Sequence, residues 1–423
     1  MEYRDRLESL RKMVEDISRR GRERGRERDG NPASTVPAVP CGRGVRDAVT
    51  VTETAYSLDH VHGEYRVGSV LSASHRLVQV IARDFREFDG LSSVAFLDTE
   101  TTGLAGGTGT LAFLVGIGRF EPGSFKVTQI FLHDPAGEPE FLEKTSSALE
   151  GAAAIATFNG KSFDIPLLET RYAMNRMRFP LADPFHVDLL FPSRRIWSPV
   201  LQSCSLSSLE EAVLGFRREG DIPGWLIPSI YASYLHDRDE GAGEGAIEPV
   251  MSHNRTDILS LTVLLARLAA CFNESVDRGG ARSAVEALGA GLHCESLGLK
   301  REALRLYQES LASGIPGNLL PRALWGALRL SKGLRKWDQC LDLARELAGS
   351  SGDVHAWIEI AKHDEHRSKD YAAALSAART ALELLQARRA ITSTSRSRLE
   401  ADIHHRIQRL ERKMNGNRAR PST

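Results

Sequence analysis

The 423-residue chain has no run approaching the ~18 consecutive apolar residues that a membrane helix needs, and its N-terminus has no apolar signal core. Cysteine is sparse: five residues, at 41, 204, 271, 294 and 340, form no CxxC pair and no Cys/His cluster. That spacing argues against a zinc site and against a disulfide framework, and fits a reducing cytoplasm. Net charge is absent as well, because Lys plus Arg and Asp plus Glu number 55 each. No global basic field gathers nucleic acid, so any such binding must use a local patch. With 42% hydrophobic and 26% charged residues, the composition is that of a globular protein of two domains with tails, without a membrane partner.

The N-terminal region 1–48 reads as a short amphipathic helix over 1–17 and a disordered linker over 18–48. The linker carries six arginines between Arg19 and Arg28, spaced by Gly and Glu. A solvated tail is the plain reading of that stretch, and contact with nucleic acid the alternative. From Val51 to Asp89 the sequence predicts short β-like pieces around Tyr65 and a helix over Leu77–Phe85. His60 and His62 lack further ligand-type neighbours in the sequence and read as structural.

The stretch Ser93-Val-Ala-Phe-Leu-Asp-Thr-Glu-Thr-Thr-Gly-Leu104 organises the domain around it. A buried strand over Ser93–Leu97 delivers Asp98 and Glu100, which point to one face because strand side chains alternate. Two neighbouring carboxylates repel unless a cation lies between them, and hard oxygen ligands suit a divalent metal. A solvated turn is the alternative reading of the same two acids. Strands over Leu111–Phe120 and Phe125–Leu132, a helix over Glu138–Leu149, a strand over Ala153–Phe158, a helix over Ile165–Asn175 and a strand over His186–Leu190 complete the order βββ-α-β-α-β. That order is the one of a ribonuclease H-like fold, an α/β mixed sheet flanked by helices.

Gly160-Lys161-Ser162 fails as a phosphate loop because Ile155 stands where its first glycine would be. Asp164, just before Pro166, can cap the helix that begins there. Between residues 194 and 224, arginines 194, 195, 217 and 218 with Trp197 could hold phosphate and stack a base, or form an ordinary surface. Gly241 to Gly245 reads as a flexible loop. A strong helix over Pro249–Phe272 places Asp257 on the same face as Leu261 and Leu264, with His253 one turn before it. An acid on an apolar stripe is costly unless it is paired or binds metal.

Taken together, Asp98-x-Glu100, Asn159-x3-Phe163-Asp164 and His253-x3-Asp257 resemble the three motifs of the DEDD superfamily of 3′–5′ exonucleases. The fuller resemblance is to YprB-like ribonuclease H-like proteins, and it includes Arg218-Glu-Gly-Asp-Ile-Pro-Gly224 and covers about residues 55–270. It implies Asp98, Glu100, Asp164 and Asp257 as ligands of two divalent ions, Mg²⁺ or Mn²⁺, roughly 3.5–4 Å apart, with Asp98 bridging both. It also implies a nucleic-acid substrate, single-stranded DNA or RNA. The last motif departs from the superfamily, which uses Tyr-x3-Asp or His-x4-Asp; here Ser252 stands where the second pattern needs histidine. A neutral His253 would serve as general base. Thr101, Asn159 and Lys161 are the candidate substrate contacts; Asn159 and Lys161 could instead stabilise the strand–helix turn.

Past residue 280 the sequence becomes Ala-, Leu- and Arg-rich with helical periodicity. Ala303-Leu304, Cys340-Leu341 and Ala374-Leu375 recur at intervals of 37 and 34 residues and resemble degenerate tetratricopeptide repeats, which imply a protein partner. The resulting division is an N-terminal segment 1–48, a ribonuclease H-like domain 49–275, an all-α helical-repeat domain 280–412 and a disordered tail 413–423. A plain helical bundle is the alternative for the third part. The function these readings predict is a metal-dependent 3′–5′ exonuclease in the cytoplasm. The alternatives are a nucleic-acid-binding scaffold that hydrolyses weakly, and an adaptor in which the helical repeats carry the function.

Overall fold

A computed structural model describes residues 47–103, 109–181, 183–237, 244–272, 283–387 and 393–418. The helix and linker expected over 1–48, up to residue 46, and most of the glycine-rich stretch after Gly103, lie outside the described residues. The chain divides into two units, 1–282 and 283–423.

The first unit is built on a six-stranded mixed sheet. Its strands are β1 (Val49–Ser57), β4 (Val94–Thr101), β5 (Ala112–Glu121), β6 (Ser124–Leu132), β7 (Ala154–Thr157) and β8 (Phe185–Asp188), and a separate hairpin pairs β2 (Val61–His62) with β3 (Tyr65–Arg66). The order across the sheet is β1-β6-β5-β4-β7-β8. The first three pairings are antiparallel, and β7 and β8 then continue parallel to β4. Strand β1, nine residues long, is not predicted by the sequence pattern. Apart from Val49 its residues are exposed or half-buried on both faces at the sheet edge, which blurs the hydrophobic contrast that marks inner strands.

The central strand owes its place to Val94, Ala95, Phe96 and Leu97, all without solvent exposure. Phe96 packs edge-on against Phe120 and Phe125, tying β4 to the meander. Helices α1 (His75–Ala82), α2 (Glu138–Ala148), α3 (Asp164–Met174) and α4 (Leu190–Trp197) follow the chain, with α5 (Leu206–Leu209) running into a π turn over Glu210–Leu214. Then come α6 (Ile227–Asp237) and the long α7 (Glu244–Phe272). Helix α7 starts before the expected Pro249 and takes in Glu244 and Gly245, residues whose glycine-rich setting predicts a loop; Pro249 is tolerated near its start. It packs on β4 and β5, where Gly118 leaves room for Ile258.

The second unit is all helical: α8 (Ala284–Ser296), α9 (Lys300–Ala312), α10 (Leu320–Gly333), α11 (Trp337–Ser351), α12 (Val354–His363), a π turn over Asp364–Ser368, α13 (Tyr371–Ala387) and α14 (Ser393–Arg418). Consecutive helices pack against each other. The three recurring residue pairs fall on α9, α11 and α13, every second helix. The tail expected from residue 413 begins too early, because α14 continues to Arg418. Lys413 is fastened to Glu365 at 2.8 Å.

Candidate functional site

The carboxyl ends of β4 and β7 and one face of α7 converge on the acids. Strand alternation aims Asp98 and Glu100 to the same side, and a bulge after Glu100 ends the regular pairing with β5. Opposite Asp98 stands Gly116. A β-carbon there would lie 2.3 Å from Asn254 Oδ1, so glycine is what lets α7 come this close. Asn254 then donates from Nδ2 to Asp98 Oδ2 at 2.9 Å, while Gln129 donates to Asn254 Oδ1 at 2.9 Å. Asn254 is fully buried, and sequence reasoning missed it because its partners are 156 and 125 residues away.

Asp164 does not cap α3, the plain alternative to its reading as a metal ligand. It is the first residue of that helix, while Phe163 is the cap residue and makes no side-chain capping bond. The Asp164 carboxylate instead accepts a hydrogen bond from Thr99 Oγ1 at 2.5 Å, which ties the start of α3 to β4. From α7, Asp257 and His253 enter together. His253 Nε2 lies 3.6 Å from Asp257 Oδ2, and one ligand atom each from Glu100, His253 and Asp257 lie within 4.8 Å of one another. The x3 spacing therefore does bring His253 to the acids: four residues make about one helical turn.

Electrostatics mark these acids as short of positive charge. Burial, with the charges of Asp257, Glu100 and Asp164 added, raises the Asp98 carboxyl well above the ordinary range. Burial pushes Glu100 up to about 8, with His253 pulling the other way and Asp257 and Asp164 adding to the rise. Burial lifts Asp164 to about 6 against the Thr99 hydrogen bond, and raises Asp257 against the pull of Arg218 and His253. A divalent cation suits such a donor set of hard carboxylate oxygens with one imidazole.

Arg218 and Asp221 join this centre from the loop before α6. Arg218 forms a fork to Glu210, with both contacts at 2.6 Å, and reaches Asp221 at 3.0 Å and Asp257 Oδ1. Both Asp221 carboxylate oxygens lie close to His253 Nδ1, at 2.8 and 2.9 Å. Asp221 therefore accepts from Nδ1–H, and Nε2 is the atom left facing Asp257. Burial alone would lower the imidazole; the Asp221 hydrogen bond and the charges of Asp257, Asp221 and Glu100 outweigh it and raise His253 to about 9. The signal for both residues was the Arg218-to-Gly224 stretch, legible as a motif but not as a contact.

The remaining candidates have partners of their own. Thr101 Oγ1 donates to the Gly103 carbonyl at 2.8 Å. Asn159 adopts a left-handed φ of 68°, and its backbone N–H and that of Lys161 donate to Asp188 at 2.8 and 3.1 Å. The Lys161 side chain is exposed. Trp197 is only 3% exposed, so it cannot stack a base, and Arg218 is committed to carboxylates. His62 is buried against Phe216 and bonded to Ser260 at 2.7 Å, and no His60–His62 metal group occurs among the described residues. Phe163 and Phe191, next to Asp164 and at the start of α4, are about half exposed, at 51% and 49%. A cavity of about 670 Å³ lined by Phe158, Asn159, Leu190 and Arg194 lies beside the turn after β7.

Residues 95–269 match the RNase_H superfamily. The chain is 28% identical over 376 residues to the uncharacterized protein YprB of Bacillus subtilis (strain 168), with 86% of each chain covered. Among solved structures, a family B DNA polymerase from the hyperthermophilic archaeon Pyrobaculum calidifontis aligns with a TM-score of 0.32 and 16% identity, over 48% of this chain. The alignment spans 29% of that polymerase's length. Among the described residues, no helix is long and apolar enough to cross a membrane.

Proposed function

We propose that the first unit hydrolyses phosphodiester bonds of single-stranded nucleic acid from the 3′ end. The observation that carries the reading is the convergence of Glu100, His253 and Asp257 within one cation's reach, with Asp98 and Asp164 coupled to them by charge. The RNase_H superfamily match over 95–269 supports nucleic acid as the substrate class. The exposed ring of Phe163, next to Asp164, favours unpaired bases, which can stack on it.

In this reading Asp98, Glu100, Asp164 and Asp257 hold Mg²⁺ or Mn²⁺, two ions as in related chemistry. Bound there, the metal supplies a water of lowered pKa and charge stabilisation at the leaving oxygen. The protein's own parts are distinct. Asn254 fixes Asp98, and Thr99 fixes Asp164. Asp221 sets the His253 tautomer, so that Nε2 accepts the proton of the attacking water. A cation held by Glu100 and Asp257 would remove their part of the pull on His253 and favour the neutral form a base needs, against the Asp221 hydrogen bond that remains. Thr101, Asn159 and Lys161 line the approach for the scissile phosphate. The helical unit serves as a docking module for a partner.

A second reading rests on Arg218, which already pairs with Asp257 and could reduce the site to nucleic-acid binding with weak hydrolysis. Digestion of 3′- and 5′-labelled single-stranded DNA and RNA with Mn²⁺, Mg²⁺ or EDTA separates the two. A metal-dependent ladder from the 3′ end, absent in Asp98→Ala/Glu100→Ala, is expected. Retained binding without cleavage selects the second reading.

A further inference from the structure

The helical unit encloses a cavity of about 380 Å³ unrelated to the acids of the first unit. Leu328, Leu341 and Trp337 make the apolar part of its lining, and Lys332, Lys362, Arg367 and Glu359 carry charge beside them. The Arg367 guanidinium lies over the Trp337 ring, 3.8 Å from its centroid, and has no carboxylate partner among the described residues. Lys332 and Lys362 share a single carboxylate, Glu359, at 2.6 Å each, so that acid is covered by two ammonium groups. Arg406, also on the cavity, goes to Glu365, which Arg409 and Lys413 bind as well. Lys332, Lys362, Arg367 and Arg406 thus outnumber Glu359 among the charged lining residues. Arg367 itself sits in the π turn Asp364–Ser368, a rare geometry that concentrates at functional sites.

An apolar surface beside one guanidinium with no carboxylate partner among the described residues, and two ammonium groups that share one carboxylate, fits a ligand that carries a planar ring and a phosphate. We propose that this cavity binds a nucleotide, with its base against Trp337 and the neighbouring leucines and its phosphate held by Arg367, Lys332 and Lys362. Arginine planes and indole rings both stack bases, and a guanidinium takes phosphate oxygens in pairs. The volume lies within the range of small-molecule sites. Free mononucleotide and one residue of a single strand share this chemistry.

The test is calorimetry and tryptophan fluorescence on the full chain in EDTA. The probes are adenosine monophosphate, inorganic phosphate, a single-stranded oligonucleotide and a glutamate-rich peptide. Saturable nucleotide binding is expected, weakened ~10-fold or more by Arg367→Ala and by Lys332→Gln/Lys362→Gln. It should be unchanged in Asp98→Ala/Glu100→Ala, which separates this cavity from the acid site. Circular dichroism checks that each variant folds, and Arg367→Ala should, since that side chain ties no carboxylate. An oligonucleotide tighter than the monomer, with the same loss in Arg367→Ala, names the strand as ligand; equal affinities name the free nucleotide. No saturation at millimolar nucleotide, binding indifferent to both variants, or tighter binding of the acidic peptide overturns the proposal.

Discussion

Two buried clusters of charge, one in each unit, are built in opposite ways. In the first unit, Asp98, Glu100, Asp164 and Asp257 crowd together, and the carboxyls of all four are raised. In the second, the side chain of Glu365 has no exposure and is held by Arg406, Arg409 and Lys413 at 2.6–2.8 Å. Burial would raise its carboxyl, but the hydrogen bonds and charges of Arg409 and Lys413 outweigh that and lower it to about 2. The second cluster is complete in itself and serves stability. The first is left short of cations by its own protein, and Arg218 answers only part of that shortage. That asymmetry is what separates a structural charge cluster from a candidate reaction centre.

The largest effect should come from breaking the first cluster. Asp98→Ala/Glu100→Ala is expected to reduce divalent-dependent hydrolysis by ~10³-fold or more, because ligands are lost. Thermal unfolding should show a smaller loss than in the second cluster, since relieved repulsion offsets the acceptor that buried Asn254 loses. In the second cluster the same kind of change has the reverse signature: Glu365→Ala should cost about 2 kcal/mol. That figure is discounted because the Arg409 and Lys413 ends reach solvent. Denaturant melts of the two variants together would show whether the contrast is real.

The lowered carboxyl of Glu365 also sets a pH window. Its folded value lies below the unfolded 4.5, so its stabilisation is complete above that pH and is lost as pH falls towards about 2. Wild type should lose this contribution on acidification from pH 5 to 2, and Glu365→Ala should lack that part of the decline. The smallest effect is reserved for positioning: Asp221→Asn should lower kcat by about 10-fold with KM and Mn²⁺ affinity held. A larger change in KM than in kcat would assign Asp221 to substrate binding instead.

Legibility in the sequence tracks the range of each interaction. Asp98 and Glu100 were readable because strand alternation is local, and His253 with Asp257 because one helical turn is local. The inner strands and the helical second half announced themselves by hydrophobic period. Strand β1 did not, because its exposed edge weakens the contrast between its faces. Thr99 on Asp164, Asn254 on Asp98 and the Arg218–Asp221–His253 linkage were invisible, because each joins elements dozens of residues apart and has no periodic signature. The capping alternative for Asp164 is not what the fold uses: its carboxylate takes a partner 65 residues away instead.

The most direct measurement is a calorimetric Mn²⁺ titration of the wild type beside Asp98→Ala/Glu100→Ala, with thermal melts of both. Saturable binding that raises the wild-type melting temperature, and that vanishes in the variant, is the predicted result. Wild type that binds no Mn²⁺, or a variant that binds it equally well, would contradict the claim that the first cluster is a site left open for a cation.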